Sequence, residues 1–525
     1  MKKYSHKIIL IAILILAIFL RFFNLSSNPP SLYWEEAALG YDAYSILKTG
    51  KDFHGNSWPL IAFESFGDYK PSVYFYAAVP SVAVFGLTPF AVRFPSALFG
   101  SLTVLLIYFL TLKLLKSRPT ALISAFLLAI SPWHLQLSRA GFEANLGLFL
   151  TTLGAWLFFK GLTKKTYLFL AMIAWALSLY TYHANRVFIP LLGLALGLVY
   201  FKKLMRNKWS SMLAVGLFLL ILTPLVIRLN DPGIKKRFQQ TSAFATLEPI
   251  IKSNQLIQAD GGGLAARLLH HRFWQYTNIF FDHYFDHFKD DFLFLSGDTN
   301  SRHSTQLVGS LYLIQLPLLL WGIVLAFKEK YRQFLPLIIW LVIAPIPAAL
   351  TKATPHALRA LPMIIPLTIL SAYGLTRLRR LIVFLACLFL FFELSRYLFI
   401  YHLNYPKTYS HRWQYGYQQM VEYVASRQAD YEQIYITRGL GRPSIYYWFY
   451  TQTEPKKVQA INHQVKKDQG EYLEFNQLTF GSPPSQIPDN SLLILSSTDP
   501  LPETAVFLKE IYDLSGQLVF RFYET

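Results

Sequence analysis

P-S-V-Y-F-Y-A-A-V-P-S-V-A-V-F-G, residues 71–86, is apolar enough to enter a bilayer, yet it is short and carries Pro80. Whether it crosses decides the sidedness of everything after it. Around it the chain is hydrophobic for most of its length. Of its 525 residues 53% are hydrophobic and 15% charged, with a mean hydropathy of +0.32. A soluble domain carries about 25% charged residues, so the composition points to a membrane protein.

Segments long enough to span a bilayer, roughly 17–25 residues, fall at 7–23, 90–112, 119–138, 143–162, 167–183, 187–201, 210–229, 305–327, 334–350, 358–376 and 381–402, eleven in all. If 71–86 does not cross, the segments facing the N-terminal side are 1–7, 113–118, 160–166, 202–208, 328–332 and 377–380. Together they hold 19 Lys and Arg against one acid, Glu329, a surplus of 18 beside a net charge of +19. Counting 71–86 as a span would move 113–118, 160–166 and 202–208 to the other side. The positive-inside rule therefore predicts an interfacial or re-entrant element at 71–86, an N-terminus in the cytoplasm and a last span that exits outward. The basic excess is topological, which removes the reason to infer nucleic-acid binding.

The N-terminal M-K-K-Y-S-H-K and the apolar run after it resemble a signal peptide, but Arg21-Phe22-Phe23 follows where a small-residue cleavage site would stand, so a retained first span is expected. The single cysteine, Cys387, permits no intrachain disulfide and no cysteine-based metal site. Long connections at 24–89 and 230–304 and the tail 404–525 fall outside. The tail alternates short β-like stretches, Q-I-Y-I-T (433–437) and L-L-I-L-S-S (492–497), with helical and turn-rich segments. It reads as a small external α/β domain after a membrane domain over 1–403. No internal repeat is evident, which counts against inverted-repeat transporters.

The strong polar clusters all fall on the outer side. The first loop carries Glu35, Glu36, Asp42 and Asp52, then Glu64, Asp68 and Lys70. Later outer turns bring Arg139 with Glu143, His183 with Arg186, and Asp298 with Arg302 and His303; the last brings Lys352, His356 and Arg359. Ionisable groups at the hydrocarbon edge are expensive and face water or one another, so one outward cavity is the economical expectation. Arg and Lys can hold a phosphate and stabilise it as a leaving group, and a carboxylate can take a proton from an attacking hydroxyl. Trp34, Tyr41 and Tyr44 can stack on a sugar ring. Together these suggest group transfer from a phosphate-bearing lipid. No Gly-rich phosphate loop supports a nucleotide donor.

Each group also has a plainer reading. Glu35 and Glu36 suit the first turn of a solvated helix. Arg186, Arg302 and Arg359 suit side chains that reach lipid headgroups. His270 and His271 read as loop residues, and F-D-H-Y-F-D-H-F (281–288) as an amphipathic interfacial helix.

A family resemblance rests on the first span ending in Arg21, N-P-P-S-L-Y-W-E-E-A (28–37), Y-D-A-Y-S-I-L-K-T-G-K-D-F-H-G-N-S-W-P-L (41–60), D-Y-K-P-S-V-Y-F-Y (68–76), F-G-L-T-P-F-A-V-R-F-P-S-A-L-F-G (85–100) and P-H-A-L-R (355–359). Over about residues 7–400 the order of these pieces resembles the lipid-carrier-dependent glycosyltransferases of the GT-C class. Nearest are glycosyltransferase family 39, the protein O-mannosyltransferases, and the aminoarabinose transferases of lipid A. The resemblance implies a GT-C fold, a polyprenyl-phosphate sugar donor and transfer to a hydroxyl of a protein, lipid or glycan; direct displacement would invert the anomeric carbon, and a double displacement through a second carboxylate is the competing route. The family's first loop carries an Asp-Glu pair with an essential aspartate; the matching positions here are Glu35 and Glu36. Its lysine before proline matches Lys70-Pro71, and its second external acid matches Glu143.

On this resemblance Glu35 is expected to act as base or to orient the acceptor hydroxyl, assisted by Glu36 and Glu143. Lys70, Arg302, His303 and Arg359 are expected on the donor phosphate, with Arg186 and His356 beside them, and Trp34, Tyr41 and Asp68 on the sugar or acceptor. Some relatives bind a divalent metal ion through a glutamate next to the lysine. That position is Tyr69 here, with Asp68 one step away, so no metal ligand is assigned and a divalent ion is the one cofactor left open. Two other classes compete: a transporter or flippase for a lipid-linked sugar, and an inactive relative acting in assembly. Against the first, charge gathers at the outer rim, with Glu393 the one clear intramembrane acid.

Overall fold

A computed structural model describes residues 2–228, 239–329, 331–503 and 505–525. The end of the expected span 210–229, the start of the loop 230–304 and Lys330 of the basic segment 328–332 lie outside the described residues. Each of the eleven expected spans meets a helix. Pro89–Leu115, Lys208–Ile227, Tyr331–Ala349 and Arg380–Trp413 are long and apolar enough to cross a membrane by length and composition. A bent pair, Arg118–Ile130 and Pro132–Ser138, makes a fifth, and Thr166–Leu179, Asn185–Val199 and Leu361–Leu375 are shorter apolar helices. The chain is a multi-pass membrane protein.

Two departures from the expected ranges have local causes. The pair bends by 56° at Ser131-Pro132, because proline excludes the helical conformation from the residue before it. The expected span 305–327 becomes helical only at Gln315. The N–H groups of Ser310 and Leu311 instead donate to the carbonyls of Phe292 and Leu293, at 3.2 and 2.7 Å. A Cβ on Gly309 would collide with the Phe294 backbone, so only glycine allows this approach.

The chain divides into two compact units, one of Met1–Leu20, Phe99–Leu137 and Ala144–Tyr397, the other of Arg21–Leu98, Ser138–Glu143 and Leu398–Thr525. The first is helical. Within it the helices Gln315–Glu329 and Ile364–Leu375 meet backbone to backbone: a Cβ on Gly322 would strike the Leu370 carbonyl, and one on Gly374 the Leu318 carbonyl. Small residues at such crossings replace the hydrophobic drive that lipid does not supply.

The second unit joins the first loop to the tail. Its loop part begins with helix α1 (Trp34–Thr49), ended by Gly50 at φ 69°. A hairpin of β1 (Ala62–Ser65) and β2 (Asp68–Pro71) follows, then helix α2 (Val73–Phe85). The hairpin turn, Phe66-Gly67, has positive φ at both positions, 54° and 72°, which matches the twist of its strands. Helix α2 has 13 residues, about 20 Å at 1.5 Å per residue, too short for a hydrocarbon core of about 30 Å.

The tail contributes β3 (Gln433–Ile436), β4 (Lys467–Asp468), β5 (Glu471–Tyr472), β6 (Glu474–Phe475), β7 (Leu478–Phe480), β8 (Ser491–Leu495), β9 (Val506–Tyr512) and β10 (Leu518–Glu524). Six of them form a sheet in the order β6-β7-β3-β8-β10-β9, with β3 parallel to β7 and β8 and the remaining pairs antiparallel. Loop and tail are knit by Gln459, whose side-chain amide donates to Ser45 Oγ, Thr49 Oγ1 and the Asp52 carbonyl at 3.0, 2.9 and 3.0 Å.

Candidate functional site

The two adjacent glutamates of α1 have different surroundings. Glu36 is fully buried. Its Oε1 accepts from Arg93 Nε at 2.9 Å and from the Gly141 N–H at 2.7 Å, and its Oε2 from Arg93 Nη2 at 3.1 Å. Arg93 also donates to the carbonyls of Leu25, Pro29 and Ser31 at 3.1, 2.8 and 2.5 Å. Glu36 therefore sits at the centre of a brace that ties α1 to the chain before it and to the turn 138–143. Arg139 acts alike: it donates to Tyr401 Oη at 3.1 Å and to the carbonyls of Arg21, Phe23 and Asn28 at 3.1, 2.7 and 3.0 Å.

Glu35 is open. Its side chain is 38% exposed and its Oε1 accepts from Lys70 Nζ at 2.9 Å. Asp68 Oδ2 stands 3.7 Å from the same nitrogen. The hairpin sets this up, since β2 carries both Asp68 and Lys70 and their side chains share one face at alternate positions. Glu143, the first residue of its helix, feels the charges of both Lys70 and Glu35. Trp34 is half-buried beside them, with its ring against Gly441. Within this unit the structure thus brings together Glu35, Lys70, Asp68 and Glu143.

Tyr41 is not part of that group. It is fully buried, its hydroxyl donates to the Thr453 carbonyl at 2.8 Å, and its ring packs on Phe53 and Trp448 with centroids 6.0 and 5.9 Å apart. Its ring fills the core of the unit, where no sugar reaches it.

The other unit holds a second cluster. Asp298 Oδ2 accepts from His303 Nδ1 at 2.8 Å and from the Ala357 N–H at 2.7 Å, while Oδ1 accepts from the Asn300 N–H at 2.8 Å. The His303 and His356 rings lie 5.1 Å apart. Burial alone would raise the Asp298 carboxyl; the neighbouring imidazoles and the Asn300 N–H outweigh it and hold it down at about 2. Burial keeps the His356 imidazole neutral, with Arg359 and His303 adding to the effect. Arg359 donates to Thr351 Oγ1 at 2.7 Å. The Arg302 backbone is pinned by Asn300 Oδ1 and by the Gln136 amide, at 3.0 and 3.2 Å. Arg186 is tied elsewhere, by Nε to the Leu179 carbonyl at 3.2 Å.

Sequence reasoning passed over two residues here. Arg93 stands at the start of an apolar helix, where an unpaired guanidinium is untenable; that alone demanded a buried acid. Asp298 was visible only as one of many outer acids, and its meeting with His356 depends on tertiary structure.

With this geometry established, comparison with known proteins fixes the fold. Over 98% of its length the chain superposes on 97% of the crystal structure of ArnT from Cupriavidus metallidurans bound to undecaprenyl phosphate, with a TM-score of 0.59 at 12% identity. The chain has the GT-C fold. The apo form of the same ArnT superposes equally, with a TM-score of 0.59 over 99% of this chain. Residues 69–227 of this GT-C chain match the model of a family described as dolichyl-phosphate-mannose-protein mannosyltransferase. A putative mannosyltransferase, YkcB of Bacillus subtilis (strain 168), is 28% identical over 163 residues, 31% of this chain. The chain spans 22% of the length of that relative.

Proposed function

We propose that this protein is a membrane glycosyltransferase that moves a sugar from a polyprenyl-phosphate-linked donor to an acceptor hydroxyl on the outer face of the cytoplasmic membrane. The carrying observation is the contrast between neighbours: Glu36 is buried against Arg93, while Glu35 is partly exposed and paired with Lys70. Support comes from the GT-C fold and from the family model, whose matched stretch begins at the strand that bears Lys70. It comes also from the undecaprenyl phosphate bound by ArnT. The basic segments of the sequence favour a cytoplasmic N-terminus.

The pair is only partly buried, with Lys70 14% and Glu35 38% exposed, so it contributes on the order of 1 kcal/mol and its partner can be exchanged. The donor phosphate takes the Lys70 ammonium, and the Glu35 carboxylate is released to accept the acceptor's proton. The acceptor oxygen then bonds to the anomeric carbon as the bond from that carbon to the phosphate oxygen breaks. The lipid phosphate leaves with the electron pair, its charge met by Lys70, and direct displacement inverts the carbon. Glu143 shapes the field around the pair, Asp68 holds Lys70 near it, and Trp34 offers an aromatic face to the sugar. Glu36 positions α1 and does not meet substrate.

Glu35→Gln and Lys70→Ala, assayed in membranes supplied with a polyprenyl-phosphate sugar, test the proposal. Release of free polyprenyl phosphate should fall in both. Unchanged release in both would overturn it.

A further inference from the structure

We propose that Asp298, His303 and His356 form a binding site for one divalent transition-metal ion of the zinc type. One ligand atom from each of the three lies within 4.8 Å of the others. The set is a carboxylate and two imidazoles, the donor types that zinc accepts, and three protein ligands leave a fourth position open to water or to an anionic oxygen. Bonds of about 2.0–2.2 Å in tetrahedral array place ligand atoms about 3.4 Å apart. Ligand atoms within 4.8 Å of one another therefore need to draw together by up to about 1.4 Å.

The frame is already rigid. Asp298 Oδ2 is fixed by the N–H of Ala357, next to His356, so the carboxylate links the two loops directly. The His303 N–H donates to the Asn300 carbonyl at 2.8 Å. The His356 N–H donates to His287 Nε2 at 3.1 Å, and the His287 Nδ1–H in turn donates to the His283 carbonyl at 2.9 Å. Second-sphere contacts of this kind orient metal ligands.

The observation that points to a ligand is His356 Nδ1, which is buried and meets no hydrogen-bond partner among the described residues. Such an atom loses water without recompense unless something fills the place. An ion would do so, and it would also displace the proton by which His303 Nδ1 now bridges to Asp298. Binding of one M²⁺ thus forms one carboxylate and two imidazole bonds, the His303 proton moving from Nδ1 to Nε2 with no net proton released. The guanidinium of Arg359, within charge range of His356, opposes the ion but favours an anion in the open position.

The test uses the full chain in detergent, first stripped with chelator, then given Zn²⁺ and desalted, with ion content read by elemental analysis. Co²⁺ added to stripped protein supplies a second readout, the visible absorption of a tetrahedral nitrogen–oxygen site. We expect close to one ion per chain and a saturable cobalt spectrum in the unaltered protein. His356→Gln and His303→Gln should each weaken Co²⁺ at least tenfold, while Lys70→Ala, in the other compact unit, should retain full occupancy. An unaltered protein that holds no ion and gives no cobalt spectrum would overturn the site, with no dependence on how the variants fold. Retention of the ion by both histidine variants would overturn it too. Neither readout depends on sugar transfer, so its failure is distinct from failure of the proposed reaction.

Discussion

Glu36 and Arg93 are joined through both carboxylate oxygens, at 2.9 and 3.1 Å, with neither side chain exposed. Fifty-seven positions apart in sequence, they bind α1 to the helix Pro89–Leu115. Removing one charge of such a pair strands the other in a medium that cannot solvate it, a loss of about 3–5 kcal/mol. Glu36→Gln is therefore expected to lower the thermal midpoint of the purified protein strongly, and to reduce turnover only in proportion to the folded fraction. A melting curve with activity normalised to folded protein measures both; a stable, inactive variant would instead put Glu36 in the chemistry.

Glu35 should show the opposite signature. Glu35→Asp keeps the charge but draws the carboxylate back by one methylene from the place where it now meets Lys70 at 2.9 Å. A displacement near 1 Å costs about 100-fold in rate, so single-turnover release of polyprenyl phosphate is expected to slow by about that factor with the unfolding free energy within about 1 kcal/mol of the original. Equal rates would show that this pocket does not depend on the longer acid.

The glycine crossing in the helical unit offers a test of packing. Gly322→Ala must push the Leu370 carbonyl away, and overpacking of this kind costs about 1–3 kcal/mol. Gly216→Ala, whose added methyl would meet nothing within 4 Å, is the matched control and should be neutral or slightly stabilising. Thermal unfolding of the two variants side by side decides the matter.

Acidity should act through His54. Burial first, and then the Lys467 charge, hold its imidazole down at about 3 from an ordinary 6.5. The folded protein keeps it neutral while the unfolded chain protonates it. Its contribution is thus fully present above pH 6.5 and is lost as pH falls toward 3, at about 1.4 kcal/mol per unit. Burial raises the nearby Asp52 and Glu64 carboxyls, whose protonation in acid favours the folded form and opposes the loss. His54→Gln should consequently show a smaller fall in melting temperature between pH 7.5 and 5 than the unaltered protein. An equal fall would assign the acid sensitivity to other groups.

The fold was legible because bilayer physics writes long signals: every expected span meets a helix, and the short, proline-bearing 71–86 forms a helix too short to cross. The pairing of Glu35 with Lys70 was half legible, because the hairpin that delivers Lys70 is local while its meeting with α1 is not. Tyr41 shows where reading stopped. An aromatic side chain in a polar loop looks like a sugar platform until Trp448 and Phe53, distant in sequence, cover its ring. The Asp298, His303 and His356 group was hidden for the same reason. Its members stand on two loops separated by two helices, and the Ala357 N–H on Asp298 and the neighbouring His303 and His356 rings show that they meet.

The bonds from Gln459 to Ser45, Thr49 and Asp52 bear on the order of biosynthesis. Nearly all of the other compact unit is made between the first loop and the tail. When α1 emerges, its tail partners do not yet exist. Tyr41 and Phe53 must then wait without Trp448 to cover them, through the whole insertion of the intervening helices. Domains that depend on such distant halves fold slowly and are open to misassembly in the interval. Ribosome stalling or truncation within the last hundred or so residues should therefore harm the beginning of the chain, leaving inserted helices with an uncovered first loop.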